Sequence, residues 1–257
     1  MRLPRDEVAH AAETACEPDR PDERVKLYAV KAERPLPREL HAQFLALCSP
    51  FRRDKLRRYV REEDARRSLM AEMLLRAALR KDWLKRSDGV PLVFEENAYG
   101  KPNLTGVPRV HFNLSHSGDW CACAVSESPI GVDVEQVRQQ ELGWADKLLA
   151  EDEKIELHAT AGIERLKRFF EIWTLKESYV KALGKGLSHG LNTFSVAKTS
   201  VSRLEPYRVT GYWLDDRHPA AVCALAAIPQ QWTILSPNGV GNLLVNDIEA
   251  MRGECRE

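Results

Sequence analysis

The sequence predicts an α+β fold, and three observations carry that prediction. Short apolar runs with a period of two, the mark of strands, occur at Val25-Lys26-Leu27-Tyr28-Ala29-Val30 and at several later places. Two long runs, 61–86 and 164–183, instead carry apolar residues at helical spacing. Finally, Ala221-Val222-Cys223-Ala224-Leu225-Ala226 echoes Trp120-Cys121-Ala122-Cys123-Ala124-Val125, each following a long helix, which hints at a duplicated unit.

In chain order, residues 1–24 carry Pro4, Pro18 and Pro21 amid charge and read as a leader. After the strand at 25–30, residues 36–60 suggest one or two helices. The helix over 61–86 puts Ala65, Leu69, Met73, Leu74, Ala77 and Ala78 on one face. Residues 90–95, 109–115 and 120–125 read as strands. A strand at 130–135, a helix near 141–159, the helix over 164–183 and a strand-rich stretch follow, and 237–257 reads as a tail or short helix. The join between an N-terminal unit (25–129) and a C-terminal unit (130–236) is placed near residue 129.

Within the strand at 130–135, Gly131, Asp133 and Glu135 alternate with Ile130, Val132 and Val134. Positions two apart share a face, so the two carboxylates project together, their α-carbons roughly 6–7 Å apart. Such a pair repels unless a positive charge lies between. Gly131 is expected to leave room beside it, and magnesium, which takes one or two carboxylates plus substrate phosphates, suits the place. The plain alternative is an edge strand with two solvated acids. In the second long helix, Trp173, Glu177 and Lys181 fall at i, i+4 and i+8 and form one stripe. Glu before Lys at this spacing also describes an ordinary surface ion pair; the apolar flank argues for a buried border. Gly184-Lys185-Gly186 ends the helix. A third block, His111-Phe112-Asn113-Leu114-Ser115-His116-Ser117-Gly118, alternates and then turns, with Tyr99-Gly100-Lys101-Pro102 just upstream. Ser115, His116 and Lys101 can all donate to phosphate oxygens. The hydrolase pattern Gly-x-Ser-x-Gly is absent from this block.

These blocks resemble the three motif blocks of the 4′-phosphopantetheinyl transferases, of the longer, surfactin-synthetase type. They are Gly131–Glu135, the stretch Phe169–Leu187 and Asn113–Gly118; Tyr99–Pro102 and the basic stretch Ser49–Ser68 agree. The likeness runs from about Lys26 to Ile228, in the family's order and spacing. It implies two similar α+β halves related by a pseudo-twofold, with coenzyme A in the crevice between them. It implies transfer of the 4′-phosphopantetheine arm of coenzyme A to a serine of an apo acyl or peptidyl carrier protein, releasing adenosine 3′,5′-bisphosphate. By position, Asp133, Glu135 and Glu177 would hold magnesium. Lys181 and His116 would contact phosphate oxygens. Arg52, Lys55, Arg66, Arg67, Ser68 and Lys101 fall where the family contacts the 3′-phosphate, adenine and diphosphate. Arg52 stands where lysine is common and Ser68 where threonine is. Glu177 is left open between metal ligand and general base.

Composition bounds the alternatives. Lys+Arg and Asp+Glu are both 38, and zero net charge gives no push toward nucleic acid. The basic cluster over 52–67, which also reads as a solvated ion-paired helix face, finds a reason in a phosphate-rich cofactor. None of the six cysteines forms Cys-x-x-Cys; no signal peptide or membrane span is expected. A reduced, cytoplasmic monomer is the expectation. The rival readings are a non-catalytic coenzyme A or carrier-protein binding module and a magnesium-dependent phosphodiesterase or nuclease. The carrier, whether of peptide, polyketide or fatty-acid synthesis, is not named by the sequence.

Overall fold

Strand β1 (Val25–Lys31) opens the described fold, followed by helices α1 (Arg38–Leu47), α2 (Pro50–Arg57) and α3 (Glu62–Asp82). A small ribbon of β2 (Phe94–Glu96) and β3 (Pro102–Leu104) leads to β4 (His111–Ser117) and β5 (Trp120–Ser126). Then come β6 (Ile130–Val134), a 3-10 turn at Ala145–Lys147, α4 (Glu151–His158) and α5 (Gly162–Leu183). The chain closes with β7 (Arg208–Asp215), β8 (His218–Ala224), β9 (Thr233–Leu235), α6 (Pro237–Leu243) and α7 (Val245–Glu254). The structure, a computed structural model, describes residues 23–84, 92–96, 102–107, 109–184, 190–197 and 204–254.

The strands form one sheet in the order β4-β5-β1-β9 and another in the order β6-β8-β7. Each sheet repeats one plan: a strand, then helices, then a hairpin whose second strand pairs antiparallel with the first. The echo between Trp120–Val125 and Ala221–Ala226 thus falls on corresponding strands, β5 and the end of β8, running two residues past the latter. Their period-two patterns explain the layering. Tyr28, Val30, Cys121, Cys123 and Val125 pack toward α3, while Leu27, Ala29, Ala122 and Ala124 pack against Val132, Val134, Ala220 and Val222 of the other sheet. Strands buried on both faces read as continuous apolar runs, and β5 and β8 do. Helix α3 covers the outer side of the first sheet, and α5 that of the second.

Three features differ from the sequence reading. Helix α3 is buried on nearly every side from Ser68 to Arg80, not along one face. The reason lies beyond residue 232, where β9 returns to pair parallel with β1 and α6 packs on α3. Arg80 and Asp247 of α7 form an ion pair at 2.6 Å. The stretch read as a tail or short helix is therefore a docked helix pair that covers the back of α3. Its polar composition hid this, because few of its residues, such as Val240, Leu244 and Ile248, carry the burial. The helix near 141–159 is a 3-10 turn followed by the shorter α4.

Cys48, Cys121, Cys123 and Cys223 are free and buried, where a thiol acts as a small hydrophobe; Cys16 and Cys255 lie outside the described residues. Among the described residues no helix is long and apolar enough to cross a membrane.

Candidate active site

Helix α5 and strand β6 build the centre of the site. Val132 and Val134 face the neighbouring sheet, so Asp133 and Glu135 turn the other way, toward α5. Gly131 lets the helix come close. A β-carbon there would stand 1.9 Å from Ser178 O and 2.5 Å from Ala182 N. This corrects the expectation that Gly131 leaves room for an ion: the room is filled by the backbone of α5. The close approach brings Lys181 Nζ to 2.6 Å from Asp133 Oδ1. Helix α5 then stops at Gly184, whose φ of 68° is left-handed, the conformation in which glycine carries no β-carbon penalty. Gly131→Ala is expected to cost more than the ~1–3 kcal/mol usual for overpacking, because the obstacle is backbone. Thermal denaturation checks this; an unchanged midpoint would mean the helix can shift away freely.

A cleft of about 460 Å³ opens beside this junction, lined by Arg52, Ser68, Ala71, Leu114, Ser115, His116, Asp133, Glu135, Trp173, Glu177 and Lys181. The stripe Trp173, Glu177 and Lys181 faces it as the helical spacing predicts. Trp173 is held by stacking on Phe169, 6.1 Å between ring centroids, with Trp144 edge-on to both. The three acidic residues share the cleft, although among the described residues no three or more His, Cys, Asp or Glu side chains stand ready-arranged around a metal position. Lys181 lies among them as the neutralising charge.

The electrostatics follow from crowding. Burial, then the neighbouring Asp133, raises the Glu135 carboxyl above the ordinary glutamate value, against the hydrogen bond from Ser117. Burial also raises Glu177; Lys181 opposes it, and Asp133 and Glu135 add to it. His116 is pushed the opposite way, first by burial and then by the Arg67 charge, so its imidazole is neutral near pH 7 and can donate one N–H. Asp133 Oδ2 is buried without a hydrogen-bond partner, although Oδ1 takes Ser115 Oγ at 2.8 Å and Lys181.

The basic cluster divides. Arg52 reaches the cleft, its Nε donating to Glu72 Oε2 at 2.7 Å and its Nη2 to Ser68 Oγ at 2.8 Å. Glu72 in turn takes Arg76 at 2.9 Å. Arg53 donates to Leu45 O and Cys48 O, and Arg66 to Ala32 O. Arg66 lines a separate cavity of about 450 Å³ between α1, α2 and α3. Lys55 is exposed on α2 and is not among the cleft's lining residues. Arg67 donates to Gly118 O at 3.1 Å and acts on His116 through its charge alone. Lys101, with Tyr99 and Gly100, lies outside the described residues. Ser115 is in the cleft, but its hydroxyl is already engaged by Asp133.

Sequence reasoning missed Glu72, which fixes Arg52 across two helices, and Lys176. The latter is buried next to Glu177, with its ammonium 2.8 Å from Glu153 and 2.7 Å from both Leu191 O and Phe194 O. A lysine inside an otherwise apolar helix face was the available signal.

Comparison with known proteins supplies the family. A profile described as 4′-phosphopantetheinyl transferase, N-terminal, matches residues 33–128. One described as 4′-phosphopantetheinyl transferase superfamily matches residues 129–233. The 4′-phosphopantetheinyl transferase Sfp of Bacillus subtilis (strain 168) is 34% identical over 222 residues, covering 82% of this chain and 98% of that protein. The chain belongs to the 4′-phosphopantetheinyl transferase superfamily. The transferase gsp of Aneurinibacillus migulanus is 34% identical over 65% of this chain and 72% of its own length. The transferase pptA of Paxillus involutus is 34% identical over 52% and 58%. The resemblance drawn from the three motif blocks is thereby shown, and the protein is an enzyme of the 4′-phosphopantetheinyl transferase type.

Proposed function

We propose that this transferase moves the 4′-phosphopantetheine arm of coenzyme A onto a serine hydroxyl of an apo acyl or peptidyl carrier protein, with magnesium, and releases adenosine 3′,5′-bisphosphate. The observation that carries the magnesium part is the buried Asp133 Oδ2, an acceptor with no partner beside two further acids in one cleft. An unsatisfied buried carboxylate oxygen is costly. Three carboxylates against Lys181 leave an excess of negative charge that suits a hard divalent ion. Because magnesium draws several ligands from water and phosphates, the lack of a preassembled cage does not count against the fit. Asp133 and Glu135 would hold the ion, with Glu177 beside them.

When bound, magnesium polarises a phosphoryl oxygen and orients in-line attack. The serine oxygen bonds to the phosphorus bearing the pantetheine arm as the bond from that phosphorus to the bridging oxygen breaks; the nucleotide leaves with that oxygen and its electron pair. Glu177, whose raised pKa brings it nearer neutrality, takes the serine proton, as a base tuned toward the working pH does. Lys181 and the single N–H of His116 neutralise charge on phosphoryl oxygens. Arg52, whose Nε and Nη2 are held by Glu72 and Ser68, offers its charge and its Nη1 donors to a further phosphate. Lys55, Arg66, Arg67 and Lys101 remain proposed contacts of the nucleotide end.

The test is to incubate the protein with coenzyme A, magnesium and each of several apo carrier proteins, then weigh the carriers. A gain equal to one phosphopantetheine arm is expected on at least one carrier. Carriers of unchanged mass throughout would contradict the transfer reading and favour a binding module.

A further inference from the structure

Strand β6 is an edge of its sheet, and its amides face two ways. Around residue 135 the odd-numbered ones turn to the β8 side, with Glu135 N donating to Pro219 O at 3.0 Å and Val137 N to Arg217 O at 2.8 Å. The even-numbered ones face β4. There the acceptors are side chains. Asn113 Oδ1 accepts from Val132 N at 2.8 Å, Ser115 Oγ from Val134 N at 3.3 Å and Ser117 Oγ from Gln136 N at 3.1 Å. Each rung joins residues 19 apart, so β4 and β6 run in the same direction in strict register. Asn113, Ser115 and Ser117 share one face of β4, opposite Ala124, Ala122 and Trp120 of β5, and that face packs on the second sheet. Side chains stand perpendicular to their sheet, so β6 rests its edge on the face of β4 instead of extending that sheet.

A hydroxyl can accept and donate at once, and two rungs do both. Ser115 Oγ donates to Asp133 Oδ1 at 2.8 Å and Ser117 Oγ to Glu135 Oε2 at 2.7 Å. We propose that Asn113, Ser115 and Ser117 form a side-chain ladder that takes the place of backbone pairing between the two halves, and that its serines aim the Asp133 and Glu135 carboxylates into the cleft. Asn113 and Ser117 are then positioning residues: Asn113 fixes the start of β6, and Ser117 fixes the orientation of Glu135. The part concerning the carboxylates rests on the function proposed above.

The test uses the full chain without carrier protein. Amide exchange at Val132, Val134 and Gln136 is followed by NMR in wild type, Ser117→Ala, Ser117→Thr and Asn113→Leu. Magnesium affinity in the presence of coenzyme A is measured by calorimetry on the same proteins. Ser117→Ala is expected to speed exchange at Gln136 by about tenfold, as loss of one partly buried hydrogen bond does. It is also expected to weaken magnesium by ~10–100-fold, as loss of a group orienting a metal ligand does. Ser117→Thr, which keeps the hydroxyl, restores both, and Asn113→Leu speeds exchange at Val132. Unaltered Gln136 exchange in Ser117→Ala overturns the ladder, and unaltered magnesium affinity in that variant overturns the positioning role. If wild type binds no magnesium while Ser117→Ala still frees Gln136, the ladder stands and the proposed function falls.

Discussion

Glu177→Gln, which removes the proposed general base, is expected to lower the transfer rate by ~10²–10⁴-fold without unfolding the protein. Glutamine keeps the shape and loses the charge. Burial and two neighbouring carboxylates already disfavour that charge, so without magnesium the variant melts at or above the wild-type temperature. The pH dependence has a definite sign. A carboxyl whose folded pKa lies above its unfolded value contributes stability that is full below the unfolded pKa and is lost as pH rises through the folded one. Glu177 and Glu135 are both of this kind. Metal-free wild type therefore loses stability as pH climbs from the ordinary glutamate range through the raised values, and Glu177→Gln loses less over the same interval. Melting curves across that range, with steady-state rates on one carrier, check both halves. A variant that turns over normally removes Glu177 from the chemistry, and one that unfolds makes it structural.

Lys176→Met is the substitution expected to cost most in stability. Lys176 and Glu153 are wholly buried and 2.8 Å apart. Glu153 also accepts from Ala150 N at 2.8 Å and Val196 N at 2.7 Å. The pair therefore ties α5 to the start of α4 and to the segment around 191–196, directly behind Glu177. Removing the ammonium leaves a carboxylate buried without its counter-charge, a loss of ~3–5 kcal/mol. Adding Glu153→Gln, which deletes the stranded charge and keeps an acceptor for one of the two amides, should recover part of it. Chemical denaturation of the single and double variants measures this. Equal stability of Lys176→Met and wild type would show that the pair contributes nothing net.

Much of this site was legible because it is local. Two strand residues two apart must share a face, and two helix residues four apart must share a stripe, so Asp133 with Glu135 and Glu177 with Lys181 could be paired before any coordinates. The left-handed stop at Gly184 was legible for the same reason. Relations across elements were not. Eight basic residues at 52–67 look alike in sequence, yet of them only Arg52 lines the cleft, because Glu72 sits a helix away to receive it. In sequence Gly131 looks like space for an ion, because its real neighbour, the backbone of α5, is some fifty residues distant in the chain. The docking of β9, α6 and α7 escaped notice because a few buried residues spaced along a polar stretch leave little pattern.

In the proposed site, Asp133, Glu135 and Glu177 gather around a divalent ion that also meets coenzyme A. Calorimetric titration of coenzyme A into the protein, with and without magnesium, tests it most directly, using wild type and Asp133→Ala. Magnesium should tighten coenzyme A binding in wild type and leave the variant nearly unaffected. Identical affinity in wild type with and without the ion would contradict the account.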